Sequence, residues 1–371
     1  MKRRNFITAL GIGAAGATLS ACGQQNQQNC DDQKSAAATP SQTFKWKLVT
    51  SWPKNFPGLG TAPERFARIV KDMSNGRLDI RVYGAGELVP ALEVFDAVSG
   101  GAAEMGHSGP YYWKGKSPAA QFFTAIPFGM NAQEINAWIH YGGGLELWRE
   151  LYAPFNLIPF SGGNTGVQMA GWFNKEINSL EDIKGLKMRI PGLGGEVFKK
   201  LGGIPVLLPG GELFTALQTG TIDATEWVGP YNDLGFGLYK AAKYYYYPGW
   251  HEPGSMLEFT INKDKFNSLP EDLQAIITHA ARAVNQNMLD EYTARNNAAL
   301  KTLVEEHKVE LRKLPDDVLR KLHDTSDEVA KEAAASDAMT QRVYDSAFQF
   351  MENVKAYHRI SEHAYYNARE L

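Results

Sequence analysis

The chain has 371 residues, 44% of them apolar and 21% charged, with a formal net charge of −3. That length can bury two separate cores, and the near-even charge balance lacks the basic excess that a nucleic-acid partner requires. The only cysteines are Cys22 and Cys30, so the body from Phe44 onward can hold neither a disulfide framework nor a cysteine metal site.

Lys2, Arg3 and Arg4 precede a short apolar and small-residue stretch, Phe6 to Leu19. It is too short to cross a hydrocarbon core of about 30 Å, and the order predicts an export signal over residues 1–21. Arg3-Arg4-Asn5-Phe6-Ile7 fits a twin-arginine signal as well as an ordinary one. Leu19-Ser20-Ala21-Cys22 has the form of a lipobox, which predicts a periplasmic protein anchored to the membrane through a lipidated Cys22. The alternatives are a free Cys22 thiol or a Cys22–Cys30 bridge. Residues 22–43 are rich in Gln, Asn, Ala and Ser and too poor in apolar surface to fold, which predicts a flexible tether.

Phe44 to Val49 alternates as a half-buried strand does, and Thr61-Ala62-Pro63-Glu64 reads as a capping box opening a helix that carries Phe66, Val70 and Met73. Leu78, Ile80 and Val82 alternate again. Strand, helix, strand is the unit of a parallel sheet. Further strand-like runs lie at Gly166–Phe173 and Leu186–Pro191. From Ser268-Leu269-Pro270-Glu271, read as another capping box, helical spacing persists to about Glu306, and Leu314-Pro315-Asp316-Asp317 opens more helices. No glycine follows Gly254, which predicts an all-helical tail.

The chain also repeats itself. Glu93 to Glu104 aligns without a gap on Glu212 to Asp223, sharing Glu-x-Phe-x-Ala-[Val/Leu]-x-x-Gly-x-x-[Glu/Asp], and each copy is followed by Gly-Pro-Tyr. A short amphipathic helix closed by glycine and turning into a strand explains the pattern. Two related lobes facing across a cleft would produce it twice.

Candidate ligand groups cluster in the second half. Arg189 sits between Met188 and Ile190 on a strand-like run. If buried there, a guanidinium needs an anion, either a structural carboxylate or, facing a cleft, the carboxylate of a ligand; the alternative is a solvent-facing strand end. Glu226 beside Trp227, and Glu252 in Trp250-His251-Glu252-Pro253, lie in aromatic, turn-rich segments rather than charge runs. With Gln168 they could offer oxygens to a hard cation, sodium or calcium. Zinc is disfavoured for want of a Cys or His cluster, and His251 alone reads as a surface or hydrogen-bonding residue. The rival readings are a secreted hydrolase using Glu226 and Glu252 as an acid/base pair, and a lipoprotein docking module with an inactive cleft. No nucleophile elbow, phosphate loop, dinucleotide fingerprint or His-Glu-x-x-His motif is present.

Lys187-Met188-Arg189-Ile190-Pro191 and Pro209 to Asp223 resemble the solute receptors of tripartite ATP-independent periplasmic (TRAP) transporters, the DctP-like family, from about Phe44 to the C-terminal helices. The resemblance implies an α/β fold of two lobes, a long connecting helix, no enzymatic activity and delivery of ligand to membrane permease subunits. It places lobe I at residues 44–165 with about 253–285, lobe II at 166–252, and C-terminal helices at 286–371. The Gln168, Glu226-Trp227 and Trp250-His251-Glu252 segments are more similar to the TakP-like receptors for 2-oxo and 2-hydroxy monocarboxylates (pyruvate, lactate or longer 2-oxo acids). That branch implies ligand contacts from Gln168, Arg189 and Trp227, and from Tyr111, Tyr112, Ser108 and Gly109 of the opposite lobe. It implies a cation held by Glu226, Glu252, the Gln168 side-chain oxygen and the Trp227 carbonyl, and a homodimer through the C-terminal helices. Charge neutrality favours calcium, while the keto-acid receptors suggest sodium.

Overall fold

The computed structural model describes residues 42–371. The expected export signal, Cys22 lipidation and nearly all of the tether lie outside the described residues. The chain begins β1 (Phe44–Thr50), α1 (Thr61–Met73), β2 (Leu78–Tyr83), α2 (Val94–Ser99) and β3 (Met105–Ser108). Then come α3 (Ala132–Tyr141), α4 (Gly144–Tyr152) and β4 (Leu157–Asn164). The middle of the chain holds β5 (Gly171–Phe173), β6 (Lys187–Arg189), α5 (Gly192–Lys200), β7 (Ile204–Val206), α6 (Leu213–Gln218), β8 (Ala224–Thr225), α7 (Pro230–Phe236) and β9 (Tyr244–Tyr247). It ends in β10 (Met256–Asn262), α8 (Lys263–Asn267), α9 (Glu271–Lys301), β11 (Glu310–Lys313), α10 (Asp316–Ala334), α11 (Ala338–His358) and α12 (Glu362–Arg369).

These strands form two mixed sheets. The first has the order β2-β1-β3-β10-β4 and the second β11-β9-β5-β8-β6-β7. The chain therefore passes from one sheet to the other between Asn164 and Gly171 and returns between Tyr247 and Met256. It crosses a third time after α9, when β11 joins the second sheet beside β9. The two earlier crossings run against each other. Thr165 N donates to Ser255 O at 3.1 Å, and Gln168 N to Glu252 O at 3.1 Å. A Cβ on Gly249 would sit 2.1 Å from the Gln168 carbonyl oxygen, so only glycine permits this approach.

The internal repeat is structural. Its two helices, α2 and α6, both end ahead of a glycine in the left-handed region, Gly101 at φ +77° and Gly220 at φ +71°. The acids that close each copy do the same work: Glu104 accepts the backbone N–H of Lys47 at 2.7 Å, and Asp223 that of Lys187 at 2.9 Å. Lys47 and Lys187 lie on β1 and β6, the parallel neighbours of β3 and β8. Each Gly-Pro-Tyr then opens a helical turn with proline in its first position.

Helix α9 has 31 residues and a π turn continuing to Glu306, a span of about 46 Å for its α-helical part. It buries Leu273, Ile277, Ala280, Ala281, Val284, Met288 and Tyr292. Glu291 on it pairs with Arg65 of α1 and accepts from Tyr231 Oη of α7 at 3.2 Å, tying elements attached to both sheets.

Three local expectations change. The tail is helical except for β11, whose largely exposed Glu-Leu-Arg-Lys finds an open edge beside β9; an edge with unpaired N–H and C=O groups recruits any extended segment that reaches it. Thr61 does not cap α1. Gly60 holds that position, and Phe56 O and Gly58 O take the N–H groups of Thr61 and Ala62, so no side chain is needed. Ser268 likewise turns its hydroxyl to Lys265 O, and Pro270 precedes α9. Full capping boxes form instead at Asn131–Glu134 and Ser179–Asp182. Among the described residues no helix is long and apolar enough to cross a membrane.

Candidate functional site

Arg189 ends β6 and Glu226 follows β8, the adjacent parallel strand in which Thr225 pairs with Arg189. Both side chains are fully buried, and Arg189 Nη1 donates to Glu226 Oε1. Arg189 Nε donates to Leu208 O at 3.2 Å, and Nη2 to Tyr112 Oη at 2.9 Å. Trp227 covers the guanidinium, with the ring centroid 5.0 Å from Cζ. Burial opposes the Arg189 charge, but Glu226 together with Tyr112, Tyr111 and Glu252 outweighs it and raises the pKa. The charge pair thus belongs wholly to the second sheet, whereas Tyr112 reaches it from the turn after β3.

The remaining polar groups come from the two crossings. The two N–H groups of Gln168 Nε2 are shared among three acceptors, Glu252 Oε2 at 2.8 Å, Ser255 Oγ at 3.1 Å and Thr165 Oγ1 at 3.2 Å. Three acceptors around one amide nitrogen fix its orientation and leave Gln168 Oε1 without a protein partner. Ser255 Oγ also donates to Glu252 Oε2. Glu226 Oε2, both His251 ring nitrogens and Trp227 Nε1 are buried without a hydrogen-bond partner too. His251 Nε2 lies 3.4 Å from Glu226 Oε2. One ligand atom from each of Glu226, His251 and Glu252 falls within 4.8 Å of the others. Burial, with Glu226 nearby, pushes the Glu252 carboxyl up to about 7, against the opposing pull of His251, Ser255 and Arg189. Burial, then the charge of Glu252, drives the Tyr111 phenol well above its ordinary range.

Unpaired buried polar atoms cost free energy, and several converging on one place mark a ligand site. The donor set is chiefly oxygen, which fits a hard cation better than zinc. Beside it lies a narrow cavity of about 10 Å³, lined by Trp52, Leu59, Tyr111, Thr165, Gln168, Trp227, Val228, Ser255 and Leu257, roughly the space of one water molecule.

Gln168, Arg189, Glu226, Trp227, Glu252, Tyr111 and Tyr112 are therefore brought together. Ser108 and Gly109 are not among the cavity-lining residues: Ser108 Oγ lies 2.6 Å from Ser51 Oγ, and Gly109 leads in extended conformation into the turn that carries both tyrosines. Sequence reasoning missed Thr165, Ser255 and Trp52, which are unremarkable residue types until the crossings bring them to the cavity. It also set His251 aside, although that ring is 2% exposed against Glu226.

The model of the DctP family, bacterial extracellular solute-binding protein family 7, matches residues 48–337. The chain belongs to this family. It is a TRAP-type periplasmic solute receptor. The receptor is 44% identical to the monocarboxylate 2-oxoacid-binding periplasmic protein of a Nostoc species, over 99% of this chain and 98% of that one. A TRAP periplasmic solute-binding protein from Pseudoalteromonas atlantica, crystallised with sodium and pyruvate, superposes with a TM-score of 0.86 at 46% identity, covering 88% of this chain and 99% of that one. A second, from Colwellia psychrerythraea with calcium and pyruvate, gives 0.86 and 46%, covering 88% and 100%. Both solved relatives share the two-lobed α/β fold. The hydrolase alternative finds no support in the family or in the site, where Glu226 is committed to Arg189.

Proposed function

We propose that the receptor captures a small 2-oxo or 2-hydroxy monocarboxylate, together with sodium or calcium, and releases it to the permease subunits of a TRAP transporter. The observation that carries this reading is the fully buried Arg189, shared between Glu226 and Tyr112, beside buried oxygens that have no partner. Arg189 supplies the fork for the ligand's carboxylate. Gln168 and Trp227 contact the ligand from the crossing and lobe II, and Tyr111 and Tyr112 from lobe I, with Ser108 and Gly109 supporting their turn. No lysine or arginine lines the cavity, and the single adjacent guanidinium of Arg189 favours one carboxylate per ligand over two.

Glu226, Glu252, the Gln168 side-chain oxygen and the Trp227 carbonyl would hold the cation. Bound there, a hard cation supplies the positive charge that two buried glutamates and an anionic ligand lack. Two glutamates, one arginine and a monoanion leave two negative charges, which sodium halves and calcium cancels. Residues 44–165 with about 253–285 form lobe I and residues 166–252 lobe II, so the paired crossings act as hinges. Closure removes water and strengthens every contact inside. Export, by the twin-arginine or the general route, and lipidation of Cys22 would place the receptor at the outer face of the cytoplasmic membrane. Exposed Tyr357, Ile360, Tyr365 and Tyr366 on the last two helices and the turn between them would supply a homodimer contact, checked by light scattering on the purified chain.

The deciding experiment is thermal unfolding with pyruvate, lactate, 2-oxobutyrate and branched 2-oxo acids, each with chelator, sodium or calcium. A ligand that binds only the folded state must raise the melting temperature. A flat response across the whole panel sinks the monocarboxylate reading.

A further inference from the structure

Trp52 forms part of the cavity wall, and its ring meets Trp227 edge-on at 5.9 Å and Tyr112 at 6.1 Å. Its N–H is engaged elsewhere: Nε1 donates to His107 Nδ1 at 2.7 Å, and His107 Nε2 lies 2.9 Å from Gly162 O. An indole nitrogen can only donate and a carbonyl can only accept. The two partners therefore dictate one tautomer, with a bare Nδ1 and a protonated Nε2. His107 is fully buried, with Phe259 4.6 Å away, and burial lowers its pKa to about 4, so the ring stays neutral.

The acceptor is just as specifically made. The β4–β10 ladder pairs Ser161 with Glu258 and Gly163 with Leu257, so Gly162 is the extra residue of a bulge. A bulge leaves its residue out of the ladder, and the Gly162 carbonyl goes to His107 instead. A Cβ on Gly162 would meet the Glu258 carbonyl carbon at 2.6 Å, so the bulge needs glycine. Gly162, His107 and Trp52 thus form an uninterrupted hydrogen-bonded line from a sheet bulge to the cavity wall.

We propose that His107 is a positioning residue for ligand selectivity, holding Trp52 at the angle that limits how long an acid the cavity takes. This rests on the monocarboxylate reading above. Any buried histidine needs its ring nitrogens satisfied; what points to the ligand is that the line ends on Trp52, a residue of the cavity wall.

The test measures dissociation constants for pyruvate and 4-methyl-2-oxopentanoate by calorimetry in wild type, His107→Leu, His107→Gln, Trp52→Phe and the double variant Trp52→Phe/His107→Leu. Freeing Trp52 relaxes the wall, so His107→Leu should lower the preference for pyruvate over the longer acid about tenfold, the scale of a misfitted apolar group. His107→Gln, which can still accept and donate, should restore part of it. In the Trp52→Phe background, His107→Leu should leave the ratio unchanged, because the two residues act as one unit. An unchanged ratio in folded His107→Leu, or equal ratio changes in both backgrounds, overturns the proposal. A wild type that binds neither acid overturns the monocarboxylate reading as well, and needs no variant to show it. Should His107→Leu not fold, nitrogen NMR of the wild type decides: a bare Nδ1 is expected, and a protonated Nδ1 overturns the assignment.

Discussion

The two copies of the helix, glycine and strand unit share a backbone but differ in the chemistry that follows it. At the end of β3 and in the turn after it the chain presents His107, Tyr111, Tyr112 and Trp113, none of them charged under ordinary conditions. After β8 it presents Glu226 and Trp227, beside Arg189 on the neighbouring strand. The scaffold places the two loops equivalently, and the residues that occupy them divide the labour. Because Arg189 and Glu226 stand on adjacent strands of one sheet, their pair needs nothing from the other lobe. At this centre the Tyr112 bond to Arg189 joins the two halves, so closure adds contacts to a preformed charge centre.

The largest test of this asymmetry is Arg189→Met. It leaves Glu226 buried and unpaired, and stability should fall by about 3–5 kcal/mol, measured by urea unfolding, with loss of any ligand-induced rise in melting temperature. Adding Glu226→Gln should recover much of the stability but none of the binding. No recovery would mean that the pair is not the isolated unit described here.

Next in size is the pH response, since each half buries one carboxyl against an indole. Glu258 accepts from Trp113 Nε1 at 2.5 Å and Asp233 from Trp172 Nε1 at 3.0 Å. Burial pushes their pKa values up to about 8 and about 7, against about 4 in the unfolded chain. The native state therefore holds extra protons in this range. The stability from these groups is complete below about pH 4 and is lost as pH rises through about 7 for Asp233 and about 8 for Glu258, by on the order of a few kcal/mol. Asp233→Asn should flatten part of the decline up to about pH 7 and Glu258→Gln part of it up to about pH 8, read from melting temperatures between about pH 4 and 9.

Tyr112→Phe comes third. It deletes one acceptor of a buried guanidinium, at a cost of about 1–3 kcal/mol, and weaker ligand binding than wild type should show the contact to be part of the closed form. An affinity equal to wild type would place Tyr112 outside closure. The smallest effect separates scaffold from chemistry. Gly101→Ala and Gly220→Ala each put a side chain at positive φ in open space, costing about 1 kcal/mol. Equal losses without altered ligand preference would show that the repeat carries position alone.

Much of this was legible in the chain order. The repeat, the long helix, the strand carrying Arg189 and the two glutamates in aromatic segments all declare themselves locally, through periodicity, turn residues and misplaced charge. The resemblance then supplied the family, and the comparisons bear it out. The capping boxes at Thr61 and Ser268 failed because loop carbonyls and a proline, set by tertiary packing, already answered the helix starts. The strand at Glu310–Lys313 was read as helix because an edge strand depends on the neighbour it finds, and β9 lies more than sixty residues earlier.

The amino-acid sequence by itself determined an α/β body with two related halves and an arginine on a strand that needs an anion if buried, because helix period, strand alternation and an undischargeable guanidinium are properties of short segments. Tertiary structure alone decided that the anion within reach is Glu226, that Thr165 and Ser255 turn the Gln168 oxygen free, and that His107 holds Trp52. Arg189 meets Glu226 through neighbouring strands of the second sheet, His107 meets Trp52 in the first, and the Gln168 amide meets Ser255 and Glu252 only once the two crossings lie side by side.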